Sequence, residues 1–228
     1  MKTVTPVTVL LAEDHTIVRE GLLNLLSVEK DIAVVGEATT GREAVEMTVR
    51  LKPDVVVMDI AMPRLNGLEA TRQIRQKAPT VKVLILSAHS DDAYVETVMA
   101  LGASGYLIKQ SSANCLSDAI REVHKGNTFF SPVIEKRYKE QHQMTFDRKG
   151  ASRKKLTDLS SREMEVIQLV AEGAANKQIA AELGISIKTV EKHRDSLMQK
   201  LDIHDTASLT RYAISAGIIE CNVNLTII

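Results

Sequence analysis

Short apolar runs alternate with longer stretches of helical periodicity through the first half of the chain. Val7-Thr8-Val9-Leu10-Leu11-Ala12 reads as a strand, and Val18, Leu22, Leu25 and Leu26 then recur at helical spacing up to about Val28. Ile32-Ala33-Val34-Val35-Gly36 is a second strand, followed by a helix over 41–51. Lys52-Pro53 closes that helix, because proline cannot continue one. Val55-Val56-Val57-Met58-Asp59 is a third strand, with a helix over 68–77. Residues 81–87 form a fourth strand with a helix over 93–101. Residues 105–109 form a fifth, followed by a helix with Leu116, Ala119, Ile120 and Val123 on one face. Strands in strict alternation with helices predict an α/β fold, a five-stranded parallel sheet covered on both faces.

The pattern changes after residue 124. Gly126-Asn127-Thr128-Phe129-Phe130-Ser131-Pro132 can still close the first domain. Residues 136–155 have few apolar positions and the basic runs Arg148-Lys149 and Arg153-Lys154-Lys155, which reads as a polar linker over 125–155. Ser160 and Glu163 then form a capping box ahead of the apolar Met164, Ile167 and Val170, and Gly173 ends that helix. Helices over 176–183 and 187–201 follow, joined by Gly184-Ile185-Ser186, with Gly184 suited to a left-handed turn and Ser186 to an N-cap. Ile179, Leu183, Ile185 and Val190, with small Ala180 at the crossing, supply the contacts of a helix-turn-helix. A plain helical hairpin has the same lengths, so length alone leaves both open. Ile187, Val190, Leu197 and Leu201 share one face of the longer helix, while Lys188, Glu191, Lys192 and Asp195 lie opposite. Thr189 and His193 flank that polar face, and Arg194 projects back toward the apolar seam. A fourth helix runs around 206–216.

Composition narrows the picture. The 228 residues are 44% hydrophobic, enough for a real core, while aromatics at 3% without tryptophan argue against a large aromatic-lined pocket. Cys115 and Cys221 lie far apart and match no metal or redox spacing, so reduced thiols and a cytoplasmic setting are expected. No signal peptide or membrane-spanning run is evident. The net charge is zero, but residues 1–124 hold 13 Lys/Arg against 16 Asp/Glu, residues 125–155 hold 9 against 3, and residues 156–228 hold 7 against 10. A nucleic-acid contact must therefore use a local basic face.

Candidate chemistry sits at the strand ends. Glu13 and Asp14 follow the first strand, Asp59 ends the third, Ser87 the fourth and Lys109 the fifth. In a parallel sheet these ends share one edge, where ligands collect. Each group alone also fits a loop cap or a snorkelling lysine. Together, three carboxylates call for a hard cation such as Mg²⁺, Lys109 suits a phosphoryl oxygen, and Ser87 offers a small hydroxyl. The set complements a phosphoryl group on Asp59.

Leu11-Ala12-Glu13-Asp14-His15, Val57-Met58-Asp59-Ile60-Ala61-Met62-Pro63, Leu86-Ser87-Ala88 and Gly105-Tyr106-Leu107-Ile108-Lys109 together resemble the receiver domain of two-component response regulators, flavodoxin-like in topology. The resemblance implies that Asp59 accepts a phosphoryl group from a sensor histidine kinase. Mg²⁺ would be held by Asp14, Asp59 and the Ala61 carbonyl, with Glu13 acting near it through water. Ser87 and Lys109 would grip the phosphoryl oxygens, and Tyr106 occupies the family's aromatic switch position, while Pro63 and Gly67 would only shape the loop. Leu159-Ser160-Ser161-Arg162-Glu163, Asn176-Lys177-Gln178-Ile179-Ala180 and Thr189-Val190-Glu191-Lys192-His193 resemble the LuxR-type DNA-binding domain, so the whole chain is similar to the NarL/FixJ subfamily of transcription factors. The implied boundaries are 7–124 for the receiver, 125–155 for the linker, 156–219 for the DNA-binding domain and 220–228 for a tail without functional signal.

The resemblance further implies promoter DNA contacts from Lys177, Lys188, Thr189, Glu191, Lys192, His193, Arg194 and Asp195. Arg194 would serve as a structural or phosphate-contacting group. The last helix resembles the family's dimerisation helix, with Leu209 and Ala213 as candidate contacts of a phosphorylation-dependent homodimer; ordinary domain core is the alternative for both. Two departures stand out: Ala175 replaces a capping serine, leaving Asn176 as the expected cap, and Glu191 and Asp195 put carboxylates on the groove face, able to accept from cytosine but repelling phosphates. An aspartyl phosphohydrolase would need a second acid at position 61, which is Ala61. A small-molecule sensor would not need the complete carboxylate set. A non-enzymatic regulator, which promotes only its own phosphotransfer and dephosphorylation, is the expectation.

Overall fold

A computed structural model describes residues 5–88, 95, 98–131, 134–135 and 159–219. The chain divides into two compact units. Among the described residues, the first unit contains β1 (Val7–Ala12), α1 (Thr16–Ser27), β2 (Ile32–Ala38), α2 (Gly41–Leu51), β3 (Val55–Asp59), α3 (Gly67–Lys77), β4 (Lys82–Ser87), β5 (Gly105–Ile108), α4 (Ser112–His124) and β6 (Phe129–Phe130). The expected helix over 93–101 lies largely outside the described residues, of which 98–100 are helical.

All strand pairs are parallel, in the order β2-β1-β3-β4-β5-β6. Alternation along each strand splits the core in two. Leu10, Val56, Met58, Val83 and Ile85 face one side with Ala44, Val45 and Ile74 from α2 and α3. Val9, Leu11, Val55, Val57 and Leu84 face the other with Leu22 and Leu26 from α1 and Leu116 and Ile120 from α4. Strands buried on both faces need continuous β-branched and aliphatic runs, which is how β3 and β4 read.

The sheet exceeds the expected five strands. Phe129 and Phe130 pair with Gly105 and Tyr106 as a short sixth strand, and Ile134 is buried in the first core cluster. The folded unit therefore reaches past residue 124 to at least residue 135. Residues 136–158, which include most of the expected linker, and the tail from 220 lie outside the described residues.

The second unit has α5 (Ser161–Ala171), α6 (Asn176–Leu183), α7 (Ile187–Leu201) and α8 (Thr206–Ser215) around one apolar cluster. Ser160 and Glu163 form the expected reciprocal cap, Gly184 takes a φ of 64°, and the Ser186 side chain caps α7 by accepting from Thr189 N–H. Two expectations fail. Asn176 does not cap α6; instead the Gln178 side chain accepts from Ala175 N–H at 2.8 Å, and Ala175 has no oxygen to return the bond. Ile187, the first residue of α7, is 44% exposed, and the apolar cluster takes up this helix only from Val190.

Candidate functional site

The ends of β1, β3, β4 and β5 bring Glu13 and Asp14, Asp59, Ser87 and Lys109 to one edge of the sheet. Winding reverses between β1 and β3, the topological switch point where a crevice opens. Gly67 shapes the floor. Its N–H donates to the Ile60 carbonyl at 2.8 Å, and a Cβ there would lie 1.9 Å from the Asp59 carbonyl oxygen. The turn after β3 can fold back this tightly only with glycine.

Asp59 is 2% exposed and Glu13 fully buried. Lys109 Nζ lies 3.0 Å from Asp59 Oδ1 and 2.9 Å from Glu13 Oε2, so one ammonium serves two buried carboxylates. Asp59 Oδ1 also accepts from Ile60 N–H at 2.8 Å, while Oδ2 is buried without a hydrogen-bond partner. Burial pushes the Asp59 carboxyl up to about 6, the Glu13 charge adds to this, and Lys109 offsets part of it. Burial on its own would lower Lys109, but Asp59 and Glu13 hold it above the usual lysine range.

Oxygen atoms from Glu13, Asp14 and Asp59 and a ring nitrogen of His15 lie within 4.8 Å of one another. This donor set, with Asp59 Oδ2 buried without a hydrogen-bond partner, fits a divalent cation. Ser87 is 1% exposed beside Ile108 of β5, Ala61 is half-buried in the turn after β3, and Tyr106 is fully buried between β4 and β6.

Two residues absent from the sequence-derived set belong to this edge. His15 Nδ1 lies 3.0 Å from Asp14 Oδ1 and 3.3 Å from Glu13 Oε1. Arg19 Nη1 donates to the Glu13 carbonyl at 2.9 Å. Adjacency to the acidic pair signals the first, and a position one helical turn after His15 signals the second.

In the second unit, Lys188, Glu191, Lys192 and Asp195 are exposed on α7, as is Lys177 on α6, and Thr189 and His193 are half-buried. Arg194 is committed elsewhere: it donates to Asn176 Oδ1 at 2.7 Å and to Thr206 Oγ1 at 3.1 Å, tying the starts of α6 and α8 together. Leu209 and Ala213 are fully buried in the core of their own unit. The apolar stripe of α8 faces inward in this unit, and its exposed residues are Thr206, Ala207, Arg211, Ile214 and Ser215.

A model of the response regulator receiver domain matches residues 9–121, and one of the luxR family of bacterial regulatory proteins matches residues 157–213. The transcriptional regulatory protein DegU of Brevibacillus brevis is 37% identical over 220 residues, covering 92% of this chain and 93% of DegU. The chain belongs to the response regulators of the NarL/FixJ type. LiaR of Bacillus subtilis, another response regulator of this type, is 39% identical over 205 residues, with 90% of this chain and 95% of LiaR covered. The solved RcsB response regulator of Salmonella typhimurium superposes with a TM-score of 0.61 at 25% identity, over 92% of this chain and 98% of RcsB. The receiver match spans β1 to α4 of this response regulator, and the luxR match begins just before α5 and ends within α8. Among the described residues, no helix is long and apolar enough to cross a membrane.

Proposed function

We propose that this response regulator is a cytoplasmic transcription factor switched by phosphorylation at Asp59. One observation carries the reading: a buried carboxylate whose Oδ2 has no hydrogen-bond partner, beside Lys109 and two further carboxylates. Asp59 Oδ2 forms the new bond to phosphorus as the phosphorus–nitrogen bond of a phosphohistidine on the sensor kinase breaks. Mg²⁺ bound by Asp14, Asp59 and the Ala61 carbonyl, with Glu13 nearby, would neutralise the carboxylates and the phosphoryl oxygens. Lys109 and Ser87 hold the transferred oxygens, and Tyr106 registers the change on β5. Domain limits of 7–135 for the receiver and 156–219 for the DNA-binding part follow.

The α7 face enters the major groove, with Lys188 and Lys192 as its cations, Glu191 and Asp195 as discriminating groups, and Lys177, Thr189 and His193 at the flanks toward phosphates. Arg194 holds the scaffold that presents this face. Phosphorylation favours a homodimer on paired promoter half-sites, with Ala207, Arg211 and Ile214 in place of Leu209 and Ala213 as contacts.

Treatment with acetyl phosphate and Mg²⁺ tests the site. Wild type takes up stable label, EDTA abolishes it, and Asp59→Ala takes up none; label surviving the substitution overturns the assignment. For the output face, Lys192→Ala should weaken DNA binding and reduce its salt slope by about one, with folding unchanged. An unchanged slope would mean that another face meets DNA.

A further inference from the structure

Arg19 leaves α1 toward the acidic edge and is 15% exposed. Its Nη1 donates to the Glu13 carbonyl at 2.9 Å and reaches the Asp14 carbonyl at 3.4 Å. Its Nε donates to Glu37 Oε2 on β2 at 3.2 Å. At the other end of the same residue, Glu13 N–H donates to the Ala38 carbonyl at 3.0 Å. The backbone carrying the acidic pair is therefore gripped from both sides, by β2 at its N–H and by Arg19 at its carbonyl.

This grip opposes a definite force. Glu13, Asp14 and Asp59 carry three negative charges against the single positive charge of Lys109, a difference that one divalent cation cancels. Without a cation, repulsion pushes on the loop, and Asp14, 26% exposed on its side chain beside His15, is the member with the most room to move. Glu37 neutralises the guanidinium charge, so Arg19 acts on the cation through position and not as an opposing field. Lysine could not make both sets of contacts, because a single ammonium cannot span two carbonyls and a carboxylate.

We propose that Arg19 is the positioning residue of the cation site, holding Glu13 and Asp14 aimed at Asp59 before the cation binds. The inference rests on the cation-assisted reading of the site. Partners that orient metal ligands from outside are worth about 10- to 100-fold in metal affinity. The lower end applies here, because Ala38 retains half of the grip.

Mn²⁺ is the probe, titrated into the full chain with free Mn²⁺ read by electron paramagnetic resonance. Arg19→Ala should bind about tenfold more weakly than wild type, and Arg19→Lys should fall between them. Acetyl phosphate labelling of Arg19→Ala should lag at low Mg²⁺ and recover the wild-type rate at saturating Mg²⁺. Unchanged or tighter Mn²⁺ binding overturns the proposal, as does slow labelling that saturating Mg²⁺ fails to restore, which is the mark of a merely structural role. If Arg19→Ala does not fold, Arg19→Lys decides by the same titration, and wild-type affinity there overturns it. A folded wild type that binds no Mn²⁺ overturns the cation reading itself, an outcome distinct from a loss confined to the Arg19 variants.

Discussion

Each unit buries carboxylates, and two of them, Asp59 and Glu163, are treated in opposite ways. Glu163 in α5 is 3% exposed, and both its oxygens are satisfied. Oε2 accepts from Ser160 N–H at 2.7 Å and from Lys200 Nζ at 2.7 Å, and Oε1 accepts from Ser196 Oγ at 2.7 Å. Burial alone would raise its carboxyl, but the bonds from Lys200, Ser196 and Ser160 bring it down to about 2. Asp59 is as deeply buried, shares its one ammonium with Glu13, and stands at about 6. Burial penalises both charges; at Glu163 the donors outweigh it, while at Asp59 the neighbouring Glu13 charge adds to it and Lys109 offsets only part. A fully satisfied carboxylate is a structural staple. Asp59 keeps one oxygen without a donor, which suits the phosphoacceptor role proposed for it.

The comparison breaks most completely at Asp59. Asp59→Asn should lose all acetyl phosphate label, and it should also make the metal-free protein more stable. The folded pKa of about 6 lies above the unfolded value of 3.8, so the native state binds this proton more tightly. The wild type therefore gains stability as pH falls from about 6 toward 4 and bears the full cost of the charge above 6. Relative to wild type, Asp59→Asn should gain about 3 kcal/mol at pH 7.5 in EDTA, with the gain fading by pH 4. Thermal melts across this range check it; a variant less stable than wild type at pH 7.5 would mean Asp59 is a staple like Glu163.

How much of this contrast was legible beforehand differs between the units. The strand ends carrying Glu13, Asp14, Asp59, Ser87 and Lys109 followed from alternation and β-branched runs, because doubly buried parallel strands leave a strong pattern. The Ser160–Glu163 cap was equally readable, since both partners lie within one turn. Phe129–Phe130 escaped as a strand because two residues carry no period. Leu209 and Ala213 fitted both a dimer contact and the domain core, because an apolar stripe looks the same whether it meets its own core or a second chain. The bonds of Lys200 and Ser196 to Glu163, and of Arg19 to Glu13, join residues from different helices or loops, and no local spacing announces them.

The next test moves the carboxylates. Asp59 rests against the tight backbone turn at Gly67, while Glu163 draws most of its donors from side chains. Gly67→Ala puts a Cβ against the Asp59 carbonyl, and backbone cannot yield as a flexible side chain would. A loss of about 3 kcal/mol is expected, together with slower labelling; a neutral variant would show that the turn after β3 is loose. Glu163→Gln keeps the shape and removes the charge. With a folded pKa of about 2 against 4.5 unfolded, wild-type Glu163 contributes stability above pH 4.5 and loses it as pH falls toward 2. Lys200 is 40% exposed and therefore partly screened by water, so the cost at pH 7 should be about 2 kcal/mol, shrinking on acidification.

The smallest change should bring Glu163 part of the way toward the condition of Asp59. Ser196→Ala deletes the bond to Oε1 and leaves Lys200 and Ser160 on Oε2. One buried oxygen then has lost its donor, as Asp59 Oδ2 has none, without any change in charge. Loss of one such bond should cost about 1 kcal/mol at pH 7. It should also raise the Glu163 carboxyl, so the acid limb of the melting profile begins at a higher pH than in wild type. A cost without that displacement would mean that Ser196 merely packs between α5 and α7, and that Lys200 alone separates Glu163 from Asp59.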